Sequence, residues 1–140
     1  MNPRSRAVLA GVAALVVVAG VAVARLGDGP WADPAGDALY AALVYLLVLL
    51  VAPRVSPWVA AGVATAFCTA VELLQLTGVP AVLVGHVPVL RYALGTTFNA
   101  VDLVVYAAAA TVAALVDRAA TRHVVRADSP RPGVARRAAD

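Results

Sequence analysis

From Ala7 to Ala24 the chain runs for eighteen residues without a charge. As a helix rising 1.5 Å per residue, that run reaches about 27 Å, close to the thickness of a bilayer's hydrocarbon core. Three comparable runs follow at about 37–52, 58–78 and 97–116, each carrying a single acidic residue. A chain of 140 residues holding four such runs has little left from which to build anything else. Charged residues make up 14% of it and hydrophobic ones 62%, against about 25% and 45–50% in a soluble domain. A water-soluble core would have to hide too much apolar surface. The sequence therefore predicts an all-α fold, a four-helix transmembrane bundle, with the lipid bilayer as its first partner.

The connections set the topology. Arg4 and Arg6 ahead of the first run, with Ala22-Val23-Ala24 behind it, also resemble a secretory signal peptide. The run is longer than the usual apolar region of about 7–15 residues, so a retained span is the preferred reading. Arg25–Gly36 is rich in Gly, Pro and Asp and reads as a loop, with Trp31 at the lipid headgroups. Pro53 to Pro57 is a tight turn. Residues 79–95 are apolar but broken by Pro80, Gly85 and Pro88. They are expected to form a short outer interfacial segment between helices three and four, lying in the interface or dipping back to lid the bundle. The membrane domain is expected to cover 1–117. Residues 118–140, with six arginines, Pro130 and Pro132, are expected to be a basic cytoplasmic tail, without fixed structure beyond about Val125. With the N-terminus inside, nine arginines fall in cytoplasmic segments and two, Arg25 and Arg91, outside. That bias predicts both termini cytoplasmic and a multipass protein of the bacterial inner (plasma) membrane.

Several functional classes are disfavoured. Cys68 is the only cysteine and His86 and His123 lie far apart in the chain, so neither a disulfide nor a Cys- or His-based metal site is expected, and no cofactor. No serine or cysteine nucleophile neighbours a histidine, which makes an enzyme the weaker class. The arginines follow topology, so no nucleic acid is expected as a partner. Oligomerisation is left open.

What remains to be answered is Glu72, alone in an otherwise uncharged run, with Gln75 one turn further on. A carboxylate at membrane depth is costly without partners and marks a functional site by default. Counting along the spans puts Glu72 about 21 Å up from the cytoplasmic side and Asp102 about 7 Å down from the outer one. Both fall in the outer third of the membrane, and Asp37 lies at the outer end of span two. On helical wheels Glu72 and Gln75 share a face, as do Asn99, Asp102 and Tyr106, and Asp37 and Tyr40 form a looser arc. The candidate ligand-binding or proton-handling residues are therefore Glu72, Gln75, Asp102, Asn99, Asp37, Tyr40, Arg91 and Tyr106. Like charges in a low dielectric resist simultaneous ionisation, and Arg91 is the one nearby base. Structural roles compete at each position. Asp37 and Asn99 suit helix caps, and Glu72 with Asp102 could simply join spans three and four. Arg91 could be an interfacial anchor or counter-ion, and the tyrosines could be packing residues. Two functions stay open: a site for a polar headgroup, a cell-envelope intermediate or an ion, and a proton-coupled carrier or intramembrane enzyme using Glu72 and Asp102.

Gly36-Asp37-Ala38-Leu39-Tyr40-Ala41, Glu72-Leu73-Leu74-Gln75-Leu76, Leu94-Gly95-Thr96-Thr97-Phe98 and Asp102-Leu103 with Tyr106 together resemble the bacterial domain-of-unknown-function family 2809. The resemblance covers roughly residues 5–117 and implies a small four-span membrane protein of unassigned biochemistry. Asn99-Ala100-Val101 lacks the aromatic residue usual in that family, and alanine follows Tyr106 where glycine is usual. A weaker likeness, to the VanZ-like proteins linked to glycopeptide resistance, rests on Glu72, Gln75 and the Arg, Asn and Asp that follow. Either resemblance implies a polar site between helices near the outer face.

Overall fold

The computed structural model describes residues 5–127, and among them there is helix and no strand. The order is α1 (Arg6–Leu26), α2 (Ala32–Val51), α3 (Pro57–Gln75), α4 (Val79–His86), a 3-10 turn (Pro88–Leu90), α5 (Arg91–Leu94) and α6 (Ala100–Ala127). Helices α1, α2, α3 and most of α6 are long and apolar enough to cross a membrane. The chain is an integral membrane protein.

Helix ends differ from the sequence expectation where local chemistry is permissive. Helix α2 starts at Ala32 rather than Asp37. Pro34 does not prevent this, because the first four N–H groups of a helix have no partner within it and proline loses nothing there. Asp37 is consequently in the second turn of α2 and is no cap. Helix α3 starts as expected: Ser56 is its N-cap, accepting from Val59 N–H at 3.2 Å, and Pro57 takes the first helical position. It ends at Gln75, and Gly78 turns the chain at φ 73°. Helix α6 starts at Ala100, capped by Asn99, whose Oδ1 accepts from Val101 N–H at 3.2 Å. It then continues through Asp117 and Arg118 to Ala127. The helix thus runs past residue 118 into the segment expected as the tail. Ala119, Ala120 and the neighbouring arginines are strong helix formers, and no glycine or proline intervenes before Pro130. The rest of the expected tail, 128–140, lies outside the described residues.

Helices α2, α3 and α6 pack on one another, and α1 packs against α2. The contact lines are made of small residues: Ala41 on α2, Ala60 and Ala64 on α3, Ala110 and Ala114 on α6 are fully buried. With no side chain beyond Cβ, the backbones approach closely, which is how helices gain contact in lipid. Tyr45, Leu49 and Cys68 fill the remaining interior. The outward faces carry Val8, Val18, Val63, Phe67, Val104 and Val116, all exposed, a surface suited to acyl chains and not to water.

The segment after α3 divides into short helices. Of the long helices, α4 packs chiefly against α3. Helix α5 turns back, packing on α3 and reaching α2 through Tyr40, whose hydroxyl donates to the Ala93 carbonyl at 2.8 Å.

Candidate polar site at one end of the bundle

Glu72 sits on the buried face of α3, 1% exposed, at the end of the bundle where α2 and α6 begin. Its two oxygens are answered separately. Oε1 accepts the backbone N–H of Asn99 at the start of α6. Oε2 accepts the Tyr106 hydroxyl at 3.3 Å. The first bond puts a carboxylate on the positive end of a long helix, where the unpaired N–H groups and the helix dipole both favour it. Among the described residues no arginine is its partner. The Tyr106 hydroxyl also lies 3.4 Å from Asp37 Oδ1. A phenol has one proton, so it serves one of these carboxylates at a time.

One turn along α3, Gln75 donates to the Leu94 carbonyl at 2.9 Å. Its Oε1 is enclosed with no hydrogen-bond partner among the described residues. The approach is close because residue 95 is glycine: a Cβ there would stand 2.5 Å from Gln75 Nε2. Gly95 also holds φ 60° and ψ −168°, a conformation open essentially to glycine. Tyr40, Gln75 and Glu72 thus grip the chain between 93 and 99 at three backbone atoms.

Asp37, from the second turn of α2, and Asp102, from the first turn of α6, come within hydrogen-bonding reach of each other at the rim and are partly exposed. Asn99 Nδ2 donates to Asp102 Oδ1 at 2.7 Å. A carboxyl–carboxyl contact repels when both groups are ionised, and it attracts only with a proton or a cation between them. Among the described residues no cluster of His, Cys, Asp and Glu side chains is arranged to hold a metal ion.

Seven of the eight candidate residues therefore meet at one end of the bundle. Arg91 does not join them: it is exposed, with its guanidinium 6.0 Å from the centre of the Tyr92 ring, and makes no ion pair with the acids. The cap reading holds for Asn99 and fails for Asp37. A second polar contact, unforeseen in the sequence, lies towards the other end, where Tyr45, 1% exposed, donates to Asp117 Oδ2 at 2.8 Å. Its signal was spacing: Tyr106, Ala110, Ala114 and Asp117 fall on one face of α6, and three of the four are apolar core.

A small all-helical membrane protein with a carboxylate-rich cluster where α2, α3 and α6 meet is the class that fold and site define. The chain belongs to the DUF2809 family, proteins of unknown function, whose family model matches residues 26–110. That range begins as α1 ends and contains every candidate residue. No curated protein and no solved structure matches the chain.

Proposed function

We propose that the protein is a membrane binding module whose rim acids, Asp37 and Asp102, hold the cationic part of a polar ligand, such as the ammonium group of a lipid headgroup or an envelope intermediate. The observation that carries this reading is the approach of two partly exposed carboxyls with no arginine between them. Glu72, Tyr106 and Asn99 lie behind the pair and hold its helices in place, and Gln75 and Tyr40 fasten the neighbouring loop. The donor set suits an ammonium group or a proton better than a metal ion. Orientation follows from the arginine bias: both termini face the cytoplasm, and the site opens on the outer face of the bacterial inner membrane.

Native mass spectrometry of the detergent-purified protein tests the ligand. With phosphatidylethanolamine and phosphatidylglycerol offered together, the ammonium-bearing lipid should be retained preferentially. The Asp37→Asn/Asp102→Asn variant should lose that preference at least tenfold while staying folded. Equal retention by both proteins would remove the reading. Labelling of a cysteine at position 30 from outside intact cells tests the orientation, and labelling from the cytoplasmic side alone would reverse it.

A second reading, proton handling, is favoured by one observation: the Tyr106 hydroxyl lies within reach of both rim Asp37 and buried Glu72. Proteoliposomes with a trapped pH dye would then show a proton flux that Tyr106→Phe abolishes. Absence of flux in the wild-type protein would leave the binding module alone.

A further inference from the structure

We propose that α4 and the turn after it form a lipid-seated surface, an interfacial anchor that lies among the headgroups and upper acyl chains beside the polar site. The proposal does not depend on what the acids bind.

From Leu76 to Leu90 the only ionisable residue is His86. The apolar side chains of this stretch are largely uncovered: Val82 is 63% exposed and Val89 66%, with Val79, Leu83 and Val87 also exposed. Pro80 is its one buried residue. Helix α4 packs on α3, so this surface lies beside that span. It is continuous with the apolar outer faces of the spans at the same end, where Leu73 and Leu74 on α3 and Val101 and Val104 on α6 are exposed. Both ends of the segment are tied to membrane-crossing helices, so it cannot leave the level of the boundary.

The residues around it fit that level. Arg91 is exposed and free of the acids, and its guanidinium lies beside Tyr92, itself exposed. Trp31, at the start of α2, is exposed at the same end. Tryptophan and tyrosine concentrate where hydrocarbon meets water, and arginine reaches from there to lipid phosphates. An apolar helix followed by an arginine and an aromatic residue matches the polarity of that layer in order of depth. A water-facing lid would show the reverse, with polar residues outward. A second copy of the chain could cover the same patch, but the exposed cation beside it finds its complement in lipid phosphate.

Spin-label depth measurement tests this in the full chain, reconstituted in phosphatidylglycerol-containing vesicles. Single cysteines at 82, 83 and 89, in a Cys68→Ala background, carry a nitroxide whose accessibility to oxygen and to a water-soluble nickel complex is read by power saturation. Labels at 28 and 104 supply the water and lipid references. The three sites should favour oxygen, ranking between the references and nearer to 104. Nickel accessibility equal to that of residue 28 would overturn the proposal, since the segment would then face water. Immobilised spectra with low access to both reagents would also overturn it, because protein would then cover the patch. If the Cys68→Ala background does not fold, carbene photolabelling of the wild-type protein from the lipid phase reads the same point. Peptides covering 79–90 should label as strongly as those from α6, and absence of label there overturns the assignment.

Discussion

Glu72 is held by bonds that do not all need its charge. Oε1 accepts a backbone N–H that Gln would also satisfy with its carbonyl oxygen. Glu72→Gln is therefore expected to cost well under half of what Glu72→Ala costs. The alanine variant leaves the partly buried Asn99 N–H without its acceptor and opens a cavity, a loss of about 1 kcal/mol for the hydrogen bond alone. Thermal unfolding in detergent separates the two, and equal losses would show that the charge itself, through the α6 helix end, holds the site. Tyr106→Phe removes one hydroxyl shared between Glu72 and Asp37. Its expected cost is modest, about 1 kcal/mol, as for other polar contacts between membrane helices.

At the scale of elements, the four long helices were legible because apolar length is a direct requirement of the bilayer, and their number and order agree with the structure. Their ends were less so. Pro34 and Gly36 read as loop residues, yet the first two turns of α2 accept both, and the shift moved Asp37 from a cap to the wall of the cluster. The convergence of Glu72, Asn99, Asp102 and Tyr106 was legible from depth and helical phase together. The grip on residues 93–99 was not, because its acceptors are carbonyls that any residue supplies. Gly95 was visible as a residue without its reason. Gly95→Ala should strain the backbone by about 1–3 kcal/mol and push Gln75 off the Leu94 carbonyl. Hydrogen exchange would report it as faster exchange over 91–99 with α1 unchanged. Ser56→Ala, at the opposite end of α3, should cost about 1 kcal/mol through the lost cap and leave 91–99 alone.

At the scale of the whole molecule, the bundle divides into a working core and an outrigger. Helix α1 buries only Leu9 and Ala13, packs on α2, and contributes no side chain to the polar cluster. Exchange of residues 6–26 for an unrelated apolar span of the same orientation should lower the unfolding temperature by a few degrees while the lipid preference survives. Loss of that preference in a folded protein would show that α1 shapes the site through α2. Residues 79–95 were expected either to lie in the interface or to dip back over the bundle end; α4 packs on α3, and α5 reaches α2 through Tyr40.

The three-point hold on residues 93–99 also bears on how this protein can drift in sequence. Tyr40 and Gln75 read the carbonyls of Ala93 and Leu94, and Glu72 reads the amide of Asn99, so none of the three reads a side chain. Ala93 and Leu94 are therefore free to mutate without a compensating change in Tyr40 or Gln75. In a saturation library selected for folded protein, positions 40, 72, 75 and 95 should be narrow, while 93 and 94 beside them tolerate many residues. Correlated substitutions, the usual trace of contact between distant positions, should be missing from some of the tightest contacts in the molecule.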